Sequence, residues 1–233
     1  MDFTQSFNDF IITLNKHKVR YVILRGYVDL PETFSNDLDF GIHPLDKNSF
    51  FTALKEYKTL QNIKININLS RYEVLKLKFI YSNQKIDFDF WFDINFCGLK
   101  YINLPSVIDN ALYYKTFKIP NAENELTISF LKELLHMQRL REDKVIWLNN
   151  KLKESDLAFF ALFFSFKFRH AFVDVIKSHE FNLEKLSRKA KIELFKFHIK
   201  QSGLKEILKN LILFFYFRIR NNKNPLVIKF KDI

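Results

Sequence analysis

Asn36-Asp37-Leu38-Asp39-Phe40, NDLDF, is the stretch on which the reading of this chain turns. Side chains on a β-strand point to opposite faces in turn, so Asp37 and Asp39 share one face while Leu38 and Phe40 enter the core. Two carboxylates side by side repel each other and are costly unless a cation sits between them. Hard oxygen ligands at this spacing suit Mg²⁺, which takes few protein carboxylates and completes its shell with water and phosphate. The stretch 86–93, IDFDFWFD, repeats the pattern. Phe88, Phe90 and Phe92 share one face, and Asp87, Asp89, Trp91 and Asp93 share the other. A solvated acidic face explains either strand alone. It explains less well why two strands concentrate carboxylates in the same way.

Upstream lies ILRGY at 23–27, which closes a short apolar run. A glycine at a strand end lets backbone N–H groups approach a phosphate closely. Arg25 beside it has the fork geometry for a bidentate phosphate contact. An ordinary turn glycine with a surface arginine is the plainer reading of the same residues.

Working outward, residues 4–17 carry Phe7, Phe10, Ile11 and Leu14 on one helical stripe. Strands are expected at 21–24, 37–42, 60–68, 72–81 and 85–93. A helix starts at Pro44 and Asp46 and runs to about Tyr57. Residues 27–36 form a loop, Pro105 precedes a short helix, and 113–119 is extended. From Glu123 the pattern turns helical, with candidates at 123–141, 144–152, 155–178, 182–200 and 203–221, and a strand or tail around Pro225. The expected fold class is α+β: a mixed sheet flanked by helices over residues 1–120, then a helical, basic half over 121–233.

The 233 residues are 48% hydrophobic, enough to bury a core. A single cysteine, Cys97, excludes an internal disulfide and any cysteine-based zinc spacing. The opening MDFTQSFNDF lacks a basic stretch ahead of an apolar core, so the reading is cytoplasmic. The apolar runs at 157–166 and 211–217 fall short of the roughly 20 residues that span a bilayer. Residues 1–100 hold 13 Lys/Arg against 12 Asp/Glu, whereas 101–233 hold 24 against 14. That basic excess suits an anionic partner, such as nucleotide phosphates, nucleic acid or an acidic membrane surface, and equally suits solvated helix faces. The segment 204–223 is apolar with basic ends. It reads first as a buried helix and second as an interfacial helix on acidic lipid at the inner face of a membrane. Of six scattered histidines, His136 is the best candidate for a role. Glu123, Glu125 and Glu133 read as caps and surface pairs.

Taken together, VILRGYVDLPETFSNDLDFGI at 22–42, DFWFDINFCGLKY at 89–101 and IPNAENELTISFLKELLHMQRLREDK at 119–144 resemble the nucleotidyltransferase superfamily. The resemblance is nearest to a bacterial group associated with polysaccharide biosynthesis and sometimes labelled thymidylate kinase-like. It covers roughly residues 20–145. It implies a nucleotidyltransferase fold in which Asp37, Asp39 and Asp89 are catalytic and hold Mg²⁺ or Mn²⁺, with Asp87 as the fallback for the third acid. It also implies nucleotide contacts from Arg25, Gly26, Lys132 and Arg139, with Arg141 and Lys144 as further steering charges. Two positions depart from the pattern. Tyr27 follows Gly26 where the superfamily has serine, so Ser35 or the Tyr27 hydroxyl would have to substitute. Phe96 stands where the family has tryptophan.

The implied activity is transfer of a nucleoside monophosphate from a nucleoside triphosphate to a small sugar-like or phosphorylated acceptor, in making surface polysaccharide such as capsule or lipopolysaccharide. A second reading is a toxin–antitoxin type of transferase acting on RNA or protein, which predicts binding with a steep salt dependence. A third is an inactive nucleotide-binding module.

Overall fold

A computed structural model describes residues 3–33, 37–71, 73–81, 85–140, 142, 145–148, 150 and 182–219. Of the helix expected at 144–152, residues 145–148 and 150 are described and are helical; the helix expected at 155–178, the apolar run at 157–166 and the tail around Pro225 lie outside the described residues. The protein is a mixed α/β chain that divides into two compact units.

The first unit comprises residues up to Ile94, Ile102–Asn121 and the described end of the last helix from Phe215. Its centre is a sheet of five strands: β1 (Tyr21–Arg25), β2 (Asp37–Ile42), β3 (Lys64–Ser70), β4 (Val74–Ile80) and β5 (Lys85–Trp91), in the order β1-β2-β5-β4-β3. Only β2 and β5 run parallel; the other neighbours are antiparallel. Helices α1 (Phe3–Lys16) and α2 (Lys47–Gln61) pack on each other and cover one face. The alternation in β2 and β5 delivers the apolar half of this face: Leu38, Phe40, Phe88 and Phe90 are all buried. Phe10 of α1 lies between 5.1 and 6.0 Å, ring centre to ring centre, from Phe40, Tyr57, Phe79, Phe88 and Phe90. Edge-to-face and tilted aromatic pairs of this kind add about 0.5–1.5 kcal/mol each beyond area burial. The Tyr57 hydroxyl donates to the Ser6 carbonyl oxygen at 2.9 Å and lies 2.9 Å from the Tyr81 hydroxyl, so both phenols are satisfied inside the core.

The opposite face is partly roofed by α3 (Leu104–Asp109), which packs on β1 and β2. Gly41 allows that approach, since a Cβ there would stand 2.6 Å from Leu104 Cδ1. The hairpin β8 (Leu112–Tyr114) and β9 (Phe117–Ile119) completes the unit, and β9 lies against β1.

Several boundaries differ from expectation for local reasons. The helix after Pro44 begins as a 3₁₀ turn (Pro44–Asp46) and continues to Gln61, four residues past Tyr57. It stops where Asn62 adopts a left-handed conformation, so β3 begins at Lys64. The segment 113–119 is a hairpin because Lys115 takes positive φ at its turn.

The second unit contains Asn95–Tyr101 and Ala122–Phe214. A two-stranded ribbon of β6 (Ile94–Phe96) and β7 (Leu99–Ile102) turns through Cys97 and Gly98, both at positive φ. Two consecutive positive-φ residues make a two-residue hairpin turn, which the linear reading had missed. Helix α4 (Ala122–Lys132) runs into a π-helical turn (Glu133–Met137) instead of continuing to residue 141. That wider turn shifts the helical face, and Glu133, expected at the surface, is buried. The last helix, α5 (Glu184–Ile219), is broken at Gly203, where φ is 75° and ψ is 159°. Beyond the break Ile207 and Phe214 are buried while Leu204, Leu208, Ile212 and Leu213 are exposed. This segment therefore buries one stripe and is not enclosed all round. Among the described residues no helix is long and apolar enough to cross a membrane.

Candidate active site

Register brings the predicted acids together. Arg25 on β1 is the partner of Asp39 on β2, Asp39 is the partner of Asp89 on β5, and Asp89 is the partner of Lys76 on β4. A row of cation, acid, acid, cation thus crosses four strands on the face away from α1 and α2. One step along, Asp37 pairs with Asp87, and Asp87 with Lys78. On the other side Gly41 pairs with Trp91. The parallel β2–β5 pairing matches acid with acid because both strands alternate in phase, and a slip by one residue would turn the acids into the core.

Asp39 is 2% exposed and Asp89 is 6% exposed, so these two charges are held almost out of water. Asp39 accepts from Arg25 Nη2 at Oδ2 and from Trp91 Nε1 at Oδ1, the latter at 2.9 Å. Asp89 Oδ2 accepts from Lys76 Nζ. Asp87 is more open; it accepts from Asn68 Nδ2 at 2.9 Å and lies 3.5 Å from Lys78 Nζ. Asp37 is exposed at the start of β2. Burial pushes the Asp89 carboxyl above its ordinary value, Lys76 pulls it back, and the charges of Asp39 and Asp37 push it up again.

Hard carboxylate oxygens of this kind fit a divalent metal ion. Among the described residues, however, no three acid, histidine or cysteine side chains stand as a ready-made cage. Arg25 holds Asp39 from the β1 side and Lys76 holds Asp89 from the β4 side, so each buried acid already has a protein cation on its outer flank.

Gly26 leaves β1 at φ 76°, a conformation that favours glycine, and is exposed. The loop that follows is tethered at several points. Tyr114 Oη donates to the Val28 carbonyl oxygen at 3.1 Å, and Thr4 Oγ1 to that of Pro31 at 3.0 Å. Lys115 Nζ donates to the Leu30 carbonyl oxygen at 2.6 Å and to Glu32 at 2.7 Å. Tyr27 is buried in the core cluster with its ring 5.7 Å from that of Tyr114, so packing accounts for it. Ser35, Arg141 and Lys144 lie outside the described residues. Lys132 ends α4, and exposed Arg139 bridges Asn182 through the backbone; both belong to the second unit. There His136 approaches the Tyr101 hydroxyl through Nε2 at 3.2 Å and packs on Phe96.

No family model matches the chain, and no curated protein matches it. Two solved structures from Helicobacter pylori are similar to it at a distance. JHP933 shares 14% identity, with 90% of this chain and 96% of that one covered, at a TM-score of 0.43. A chain described as a candidate nucleotidyltransferase shares 13% identity, with 86% and 95% covered, at a TM-score of 0.36. Neither likeness is close enough to carry an activity across.

Two residues of the site carry no clear mark in the sequence: Lys76 is one of several basic residues in an alternating strand, and Trp91 a neighbour of acids. The period-2 pattern of VLKLKFI at 74–80 did place Lys76 and Lys78 on one face. Nothing in the sequence said that this face adjoins β5.

Proposed function

We propose that the protein is a metal-dependent nucleotidyltransferase that moves a nucleoside monophosphate from a nucleoside triphosphate to a small sugar-like or phosphorylated acceptor. The observation that carries the reading is the in-register pairing of Asp37 and Asp39 with Asp87 and Asp89, one strand away from Gly26 and Arg25. Asp37, Asp39 and Asp89 would hold Mg²⁺ or Mn²⁺, and such an ion would supply positive charge to screen and polarise the phosphates. The exposed, positive-φ Gly26 would offer its backbone N–H to phosphate oxygens, and Arg25, which holds Asp39, would add positive charge beside them. Asp89 would take the acceptor's hydroxyl proton, or would instead help to hold a second ion. The acceptor oxygen then bonds to the α-phosphorus, and pyrophosphate leaves with the electrons of the broken P–O bond. Lys132 and Arg139 add positive charge that steers the nucleotide. The assignment to surface polysaccharide synthesis rests on the resemblance of residues 22–42, 89–101 and 119–144. A peripheral contact with acidic lipid through 204–223 fits that setting and belongs to the same proposal.

Calorimetric titration with Mg²⁺ tests the site. The wild type is expected to bind, and Asp37→Asn/Asp39→Asn to lose at least about tenfold in affinity, or 1.4 kcal/mol. Equal affinity of the two proteins removes the metal site and the reaction built on it.

A further inference from the structure

Asp39 and Asp89 are both buried but not equally provided for. Asp39 has two donors, Arg25 and Trp91. Asp89 has Lys76 alone among the described residues, although it is buried and its register partner on β2 is another acid, Asp39. A buried carboxylate that stays charged is costly without a cation beside it. Lys76 differs from Arg25 in the way that matters here. Its side chain is 38% exposed and ends in a compact ammonium on a flexible four-carbon stem, whereas the guanidinium of Arg25 is planar and rigid. The Lys76 ammonium and a divalent ion would compete for the same carboxylate oxygens of Asp89.

We infer that Lys76 is a positioning residue that occupies the metal's place beside Asp89 in the resting protein and turns to the triphosphate when the metal arrives. The inference rests on the functional reading above. One lysine thereby serves two sites in turn. It keeps the buried acid paired while the site is empty, and it supplies a positive charge to the phosphates once the acid is paired by the ion. The arrangement would also set an affinity threshold, because the ion must displace an intramolecular cation before it binds.

The test uses the full chain, with Mn²⁺ alone and then tripolyphosphate at saturating Mn²⁺ as probes. In Lys76→Gln, Mn²⁺ is expected to bind about tenfold tighter and tripolyphosphate about tenfold weaker. The metal-free variant should melt below wild type and regain more of its melting temperature on adding Mn²⁺ than wild type does. Lys76→Arg, which restores the charge, should return Mn²⁺ affinity toward wild type. Lys76→Gln/Asp89→Asn removes both charges together, and should fold and lose the gain in Mn²⁺ affinity. The crossed response is what a merely structural lysine cannot produce. If both probes weaken together, if neither changes, or if Mn²⁺ tightens with tripolyphosphate unmoved, the inference is overturned. In each of those cases the metal site survives, provided Asp37→Asn/Asp39→Asn still abolishes binding. Should neither wild type nor Lys76→Gln bind Mn²⁺, the functional reading and the inference fall together.

Discussion

At Asp46 a single carboxylate ties the entry of β1 to the start of α2. Its Oδ2 accepts from the Arg20 backbone N–H and from Arg20 Nε, and its Oδ1 from Arg20 Nη2, all at 2.9 Å. The Arg20 bonds, the largest influence, hold the Asp46 carboxyl below its ordinary value of 3.8. An acid whose folded value is depressed adds stability above its unfolded value and loses it as pH falls through the folded one. Asp46→Asn should therefore lower stability at neutral pH by at most about 1 kcal/mol, given solvent screening of the exposed guanidinium. The gap between variant and wild type should close below about pH 4. Urea unfolding of both proteins from pH 2 to 7 reads this directly, and a gap that persists undiminished at pH 2 would show that Asp46 acts through something other than its charge. Asp89 is the reverse case: burial dominates and its carboxyl is raised, so its charge costs the fold something that the site must justify.

Among the elements, the β6–β7 turn is the most exacting. Gly98 sits at φ 81°, and a Cβ there would stand 2.8 Å from the Asn210 carbonyl oxygen of α5. Backbone cannot retreat as a side chain tip can. Gly98→Ala should therefore cost roughly 2–4 kcal/mol, combining left-handed strain with overpacking. Thermal unfolding would measure it, and a change under 0.5 kcal/mol would mean that the ribbon and helix separate freely. This turn also marks where linear reading ran out. The strands carrying the acids were legible because Asp/Leu/Asp/Phe and Asp/Phe/Asp/Phe have one periodicity and two opposed chemistries. The Cys97-Gly98 turn was not, because short strands around a two-residue loop offer too few residues for periodicity to register. Nor was the π turn after Lys132, since one extra residue in a helical turn leaves no compositional mark. In the site, Asp37, Asp39 and Asp89 could be placed on one face each from their own strands. Their partnership with Lys76 depends on sheet order, which is set by packing between distant segments and is silent in local pattern.

For the molecule as a whole, charge is segregated along the chain: residues 101–233 hold 24 Lys/Arg against 14 Asp/Glu. In α5 beyond Gly203, exposed Leu204, Leu208 and Ile212 recur every four residues beside Lys205 and Lys209. Apolar side chains flanked by lysine suit an acidic lipid surface, where each basic residue adds about 1 kcal/mol. Co-sedimentation with vesicles containing anionic lipid should retain the protein at low salt and release it at high salt. Leu208→Glu/Ile212→Glu should abolish retention. Absence of wild-type retention on anionic vesicles ends the membrane contact without touching the catalytic reading.

The parallel match of β2 with β5 has a consequence for how this chain tolerates change. Inserting or deleting one residue within Asp37–Ile42 or Lys85–Trp91 would drive carboxylates against Phe10 and expel phenylalanines into water. The same alternation that gathers the acids thus acts as a proof-reading code during folding, rejecting misaligned strands by the wrong chemistry each would show. Changes of length are thus expected to be tolerated in the loops and not within these two strands.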